Sequence, residues 1–101
     1  MDAAIVVGLQ KAKAAFPGAD LIVFGSQARG SLRPGSDLDV CALFPTLTKD
    51  AFELAYDVST EIHRHLDLAL DVVVCDRQQF NARSQETWTL EYQIRAEGVI
   101  V

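Results

Sequence analysis

The feature that most restricts the fold of this chain is the alternation of short apolar runs with segments of helical periodicity. Leu21 to Phe24 and Leu68 to Cys75 are apolar runs with the length of buried strands. Helical spacing of apolar residues precedes the first run and separates the two runs, at Ile5, Leu9, Ala12 and Phe16 and at Leu54, Val58, Ile62 and Leu66. We therefore expect an α/β (α+β) domain with a small mixed sheet and helices packed on it.

The composition agrees with one compact domain spanning residues 1–101, because 50% of its 101 residues are hydrophobic. No apolar run approaches the roughly 20 residues that a membrane-spanning helix needs, and the first residues lack the positive charge of a signal peptide. We expect a cytoplasmic protein that does not bind membranes. The formal net charge is −5 and the basic residues are scattered, so we expect no direct nucleic-acid binding.

Turn and cap residues predict where the elements begin and end. Pro17-Gly18 ends the first helix, and Thr48 is the predicted N-cap of the second. Asp76 is a candidate cap for a last helix, but residues 88–94 alternate at period two and fit a strand as well. Gly98 predicts a helix C-terminus that leads to a short edge strand.

The cysteines and the larger aromatic residues are expected to serve the core. Cys41 and Cys75 each lie inside an apolar run and not at the spacing of metal ligands, so we predict core positions for both. Trp88 and Tyr92 are interpreted as core or interface residues, which is the common use of large aromatic side chains.

Two acidic residues, Asp37 and Asp39, lie in the second predicted strand, Ser36 to Leu43. Side chains alternate along a strand, so both carboxylates project from one face and Leu38 from the other. Two carboxylates at this spacing repel each other unless a cation lies between them. Their hard oxygens favour Mg²⁺ or Mn²⁺, with substrate phosphates as further ligands. An isolated Asp-x-Asp is more commonly a pair of solvated residues, so a metal site needs a second signal.

The second signal is Gly25-Ser26, which follows the apolar run Leu21 to Phe24. A strand that ends here and turns into a helix leaves backbone N–H groups available to an anion. Glycine permits close backbone approach, and the serine hydroxyl can donate a hydrogen bond to a phosphate. Ahead of the Asp-Leu-Asp strand, this turn predicts a triphosphate cradle beside a metal site.

Together, Gly25-Ser26, ten intervening residues and Asp37-Leu38-Asp39 resemble the signature of minimal nucleotidyltransferases in the polymerase-beta-like superfamily. The similarity is almost continuous from Leu21 to Val40, and Ile94 to Ile100 resembles the closing helix and strand of that family. The resemblance implies the polymerase-beta-like nucleotidyltransferase fold, ATP as substrate and Mg²⁺ as cofactor, with two ions in the site and Mn²⁺ as a substitute.

The resemblance also assigns roles to individual residues. Gly25 and Ser26 would hold the triphosphate, and Asp37 and Asp39 would bind the two metal ions. The family has a third acid at the start of the following strand, where Asp71 stands in this sequence. That residue would bind the ion nearest the attacking hydroxyl and could accept its proton.

Two assignments stay open at this point. Asp67 and Asp76 lie near the two ends of the same predicted strand, and either is an alternative to Asp71 as the third acid. Arg29 and Arg33 flank the predicted cradle, where each either contacts phosphates or pairs with a neighbouring carboxylate. We include Arg29 among the candidate nucleotide-binding residues.

Stand-alone proteins of this kind resemble the antitoxins of toxin–antitoxin modules whose partner is an all-helical HEPN-type toxin. The resemblance implies transfer of AMP from ATP to a tyrosine hydroxyl of that partner. One alternative is an antitoxin that neutralises its partner by binding alone, with a vestigial nucleotide site. Another is a nucleotidyltransferase for a small molecule such as an aminoglycoside, although no second domain that would bind such an acceptor is evident.

Overall fold

Helices and strands alternate through residues 1–30 and 37–101, the parts of the chain that the computed structural model describes. Their order and bounds are α1 (Ala3–Lys13), β1 (Asp20–Phe24), β2 (Leu38–Phe44), α2 (Ala51–His63), β3 (Leu70–Asp76), α3 (Arg77–Arg83), α4 (Leu90–Glu97) and β4 (Val99–Ile100). Within these ranges no helix combines the length and the apolar character needed to cross a bilayer.

The four strands form one mixed sheet in the order β3-β2-β1-β4. Strand β1 is antiparallel to both β2 and β4, whereas β2 and β3 are parallel, with α2 as the connection between them. The end of β1 therefore lies beside the beginnings of β2 and β3. Mixed sheet and α+β class are both as the sequence predicted.

Helices cover both faces of the sheet, which explains why β2 is buried along almost its whole length. On one face, side chains of β1 and β2 pack with α1 and α2; this cluster includes Leu9, Leu21, Val23, Val40 and Val58. On the other face, Phe80 of α3 and Ile94 of α4 pack with side chains from β1 and β2, namely Ile22, Cys41 and Leu43. The cysteine prediction is confirmed for Cys41, which is fully buried, while Cys75 is only partly buried.

The predicted cap of the second helix was wrong. Helix α2 begins after Asp50, whose carboxylate accepts hydrogen bonds from the N–H groups of Phe52 (2.9 Å) and Glu53 (3.4 Å). Thr48 lies two residues too early for its hydroxyl to serve as N-cap. A carboxylate at this position also interacts favourably with the positive end of the helix dipole.

The ambiguous stretch near residue 90 is helical, so its period-two pattern does not reflect a strand. Thr89 caps α4 by accepting from the N–H of Tyr92 at 3.1 Å, and its hydroxyl contacts the carbonyl of Arg83. Of the alternating residues only Ile94 is buried, and Trp88 is 80% exposed. The core interpretation of Trp88 was therefore wrong. By contrast, Asp76 caps α3 as the sequence predicted, with the N–H of Gln79 at 2.7 Å from its carboxylate.

Candidate functional site

The end of β1 meets the beginning of β2 at a position that favours glycine. Phe24 and Asp39 are register partners, which places the following residue, Gly25, against the Asp39 side chain. Gly25 has a φ of 74°, and a Cβ atom added to it would lie 2.3 Å from Oδ2 of Asp39. A side chain at this position would therefore have to displace the Asp39 carboxylate and adopt a backbone conformation that favours glycine.

The segment after Gly25 forms turns through residue 30 in place of the expected helix. The N–H of Arg29 donates to the carbonyl of Gly25 at 3.2 Å, which closes a single helical turn. Gly30 has a φ of 73°, and right-handed helical geometry cannot continue through a residue of this conformation. Ser26 lies inside this turn, directly above the end of β1.

The parallel pairing of β2 with β3 brings Asp71 beside Asp39. These two residues are register partners and project from the same face of the sheet, while Asp37 is exposed just before β2. Burial raises the pKa of Asp39, and the negative charges of Asp71 and Asp37 raise that pKa further. The positive charge of Arg29 acts in the opposite direction. One partly buried carboxylate thus lies within electrostatic reach of two other carboxylates and one guanidinium.

The structure separates the other candidates for the third acid from this group. Asp76 is at the far end of β3, where it pairs in register with Phe44 and caps α3. Asp67 is exposed in the loop between α2 and β3, four residues beyond the end of α2. Asp71 is the candidate that the strand register places next to Asp39.

The carboxylate group suits a hard divalent cation by its chemistry. Its donors are carboxylate oxygens, which Mg²⁺ prefers, and a cation between them would relieve the repulsion that raises the pKa of Asp39. Over residues 1–30 and 37–101, no three acidic, thiol or imidazole side chains converge tightly enough to enclose an ion by themselves. Mg²⁺ sites in nucleotide enzymes need no such cage, because substrate phosphates and water complete the coordination. The chemistry of these residues therefore fits Mg²⁺, although their side chains as placed do not by themselves form a metal site.

An ion pair links the turn after β1 to the end of α4. Nη1 of Arg29 donates to Oε2 of Glu97 at 3.1 Å, across 68 positions of sequence. Of the two roles left open for Arg29, the structure shows pairing with a carboxylate. That carboxylate belongs to Glu97, which sequence reasoning did not single out. No local pattern reveals such a pairing, since it depends on where α4 ends. Arg33, the other flanking arginine, is outside the described residues.

Gln27 was also missed by sequence reasoning, because a polar residue in a turn is ordinarily exposed. Its side chain is only 5% exposed, and its buried amide oxygen has no hydrogen-bond partner within the described part of the chain. We have no physical account of this group.

Comparison with known proteins shows the family of this chain. A sequence model described as a nucleotidyltransferase domain matches residues 8–99. The chain belongs to the nucleotidyltransferase domain family. This membership confirms the superfamily resemblance carried by the Gly-Ser and Asp-Leu-Asp motifs.

Solved structures with the same fold agree with this membership. A candidate nucleotidyltransferase from Sulfolobus solfataricus superimposes with a TM-score of 0.57 at 18% identity, covering 99% of this chain and 87% of the other. A chain from a toxin–antitoxin structure with AMP-PNP also has a TM-score of 0.57, at 17% identity, covering 99% of this chain and 72% of the other. At these identities the likeness is one of fold. The search of curated proteins returned no match.

Proposed function

We propose that this nucleotidyltransferase domain transfers AMP from ATP to a hydroxyl group of a partner toxin. The observation that carries the proposal is the position of Asp39, which touches the backbone at Gly25 on one side and neighbours Asp71 on the other. Nucleotidyl transfer requires a backbone turn that a triphosphate can approach closely and, beside it, carboxylates for a metal ion, and the turn at Gly25 and the carboxylates lie at the same end of the sheet.

In this proposal, Gly25 and Ser26 bind the triphosphate, and Asp37, Asp39 and Asp71 hold Mg²⁺. The bound cation supplies positive charge that stabilises the phosphate oxygens as charge develops on them. The acceptor oxygen attacks the α-phosphorus, the bond to the bridging oxygen breaks and pyrophosphate leaves. Asp71 accepts the proton of the acceptor hydroxyl, a role that its exposure to solvent permits.

A protein acceptor is supported by the open surroundings of Asp71 and by the neighbour solved as a toxin–antitoxin with AMP-PNP. By family resemblance, we propose a tyrosine of a HEPN-type helical toxin as the acceptor. A partner that covers the exposed side of Asp71 would complete the acceptor side of the site.

Neutralisation by binding alone is the second candidate function. It is favoured by large apolar side chains left in solvent, among them Phe52 (87% exposed), Tyr56 (73%) and Trp88 (80%). Phe52 and Tyr56 lie four residues apart on α2 and so share one side of that helix, whereas Trp88 lies in the separate connection between α3 and α4. Exposed apolar patches commonly mark protein contacts. Such contacts would serve an enzyme that acts on its partner equally well, so the two functions need a direct test.

The test uses Asp37→Asn and Asp39→Asn, which remove a candidate metal ligand at nearly constant side-chain size. We expect transfer to fall by several orders of magnitude, at about 1.4 kcal/mol of barrier for each factor of ten. The partner to test is the product of the adjacent reading frame. Its intact mass and its activity are measured after incubation with ATP and Mg²⁺.

Wild type should yield an adenylylated, inactive toxin, and both variants should leave it unmodified and active. Asp67→Asn is the matched control, because this acid lies in the loop outside the carboxylate group and should retain transfer, whereas Asp71→Asn should lose it. If Asp39→Asn neutralises an unmodified toxin as well as wild type does, the proposal of transfer is wrong and binding alone is the function.

A further inference from the structure

We propose that Glu97 is a positioning residue that holds the guanidinium of Arg29 in the orientation needed for binding of ATP with its metal. This inference rests on the function proposed above. It concerns the ion pair between the turn after β1 and the last residue of α4, whose side chains are 3.1 Å apart.

The exposure of this pair argues for a role other than stability. The side chains of Arg29 and Glu97 are 54% and 43% exposed, and ion pairs that open to water contribute little to folding free energy. Such a pair does, however, restrict the orientation of a long, flexible arginine side chain. The restriction matters here because the N–H of Arg29 bonds to the carbonyl of Gly25, the residue that lies against the Asp39 carboxylate.

Without Glu97, the carboxylates of the site become the competing partners for Arg29. Arg29 would then pair with Asp39 or its neighbours, and a guanidinium bonded to a carboxylate occupies the oxygens that a metal ion needs. The ion pair with Glu97 keeps the guanidinium from pairing with Asp39, while the backbone of Arg29 remains in the turn that begins at Gly25. From that place it can meet a triphosphate without displacing the cation.

The backbone of Glu97 is held firmly enough to act in this way. The next residue, Gly98, packs against β1 so closely that an added Cβ atom would lie 2.5 Å from Cγ2 of Ile22 and 2.4 Å from the carbonyl oxygen of Ile94. Val99 then pairs with Val23, two residues before Gly25. The backbone next to Glu97 is therefore positioned by β1, the same strand that precedes the turn at Gly25 and Ser26.

The primary experiment is calorimetry of ATP binding in Mg²⁺ with wild type, Glu97→Gln and Glu91→Gln. Glu91 is the matched control because it also lies on α4 and forms an ion pair, with Arg83, near the other end of the helix. We expect Glu97→Gln to weaken binding about tenfold and to raise the Mg²⁺ concentration required, while Glu91→Gln keeps the wild-type affinity. An affinity of Glu97→Gln equal to that of wild type would overturn the inference.

Two double variants separate positioning from a merely structural contact. In an Arg29→Gln background, Glu97→Gln should cause no further loss, because Glu97 acts through Arg29. The exchanged pair Arg29→Glu with Glu97→Arg can restore the contact between turn and helix, yet it places a carboxylate beside Asp39. We expect thermal stability near wild type without recovery of affinity. Recovery of wild-type affinity in the exchanged protein would show that the contact alone matters and would refute positioning.

The same measurements distinguish this inference from the proposed function. If wild type binds ATP with Mg²⁺ but transfers no AMP to the toxin, the proposed function fails and the calorimetric comparison still decides the role of Glu97. If wild type does not bind ATP with Mg²⁺, both proposals are wrong.

Discussion

At the scale of single residues, the candidate site leaves little room between the backbone at Gly25 and the Asp39 carboxylate. Gly25 provides both a left-handed φ and the missing side chain that lets Asp39 approach. A second glycine in the same turn, Gly30, has nearly the same φ, but no atom of residues 1–30 and 37–101 lies within 4 Å of where its Cβ would be. Both glycines thus adopt a left-handed φ, and of the two only Gly25 also lacks space for a side chain among the described residues.

This difference predicts unequal effects of two alanine substitutions. Gly30→Ala should cost about 1–2 kcal/mol of unfolding free energy, the penalty of the left-handed conformation alone. Gly25→Ala should cost about 1–3 kcal/mol more, because the new methyl group must displace the Asp39 carboxylate, and it should also abolish ATP binding. Urea unfolding and calorimetry measure the two effects. Equal losses of stability in both variants would contradict the steric argument.

At the scale of elements, helix starts depend on which side chain reaches the free N–H groups of the first turn. Thr48 and Asp50 are both favourable cap residues by type, and the sequence pattern favoured the first. In the fold, Asp50 is the residue whose carboxylate meets the N–H groups of Phe52 and Glu53. The buried face of α2, formed by Leu54, Val58 and Ile62, is the same whichever residue caps the helix, so the apolar pattern could not locate the cap.

The corrected cap can be tested by its contribution to stability. Asp50→Ala should lower the free energy of unfolding by about 1 kcal/mol, since it leaves two N–H groups without their acceptor. Thr48→Ala should change it by less than about 0.5 kcal/mol, as for an ordinary surface substitution. Thermal or urea unfolding of the two variants gives the comparison, and a larger loss for Thr48→Ala would restore the original assignment.

At the scale of the whole molecule, one end of a mixed sheet collects residues that are far apart in sequence. Gly25 follows β1, Asp39 lies near the start of β2, Asp71 lies near the start of β3, and Glu97 ends the helix that returns to β1. The chain as a whole carries a net charge of −5, and this end of the sheet concentrates carboxylates. An anionic triphosphate would therefore be repelled from the proposed site unless a cation accompanied it.

The repulsion predicts that ATP binding depends on divalent metal. Wild type should bind ATP at least about tenfold more weakly in excess EDTA than in Mg²⁺, as measured by calorimetry. Asp39→Asn serves as the comparison, because removal of one negative charge should lessen the repulsion in EDTA while weakening the gain from Mg²⁺. Equal affinity of wild type in the two buffers would contradict a metal-bridged site.

Patterns that are local in the chain were enough to predict most of the elements and the two motifs of the family. Periods of two and 3.6 residues report which side chains share a face, and they predicted α1, α2 and the first three strands within a few residues. They were ambiguous for α4, because a short segment with one buried residue, Ile94, satisfies either period. In the fold, this segment is a helix because Thr89 caps its first turn and Ile94 packs on the sheet.

The arrangement of the candidate site needed the tertiary structure. Gly25-Ser26 and Asp37-Leu38-Asp39 are contiguous motifs, so the sequence alone determined these candidates and, through them, the family. Among three acids on or near one strand the sequence favoured Asp71 and kept Asp67 and Asp76 as alternatives, and the register of β3 against β2 places Asp71 next to Asp39. Likewise, Arg29 meets Glu97 only because α4 ends where the sheet brings it beside β1. Strand register and helix ends result from packing between distant segments, and a local pattern contains no information about which distant segments will meet.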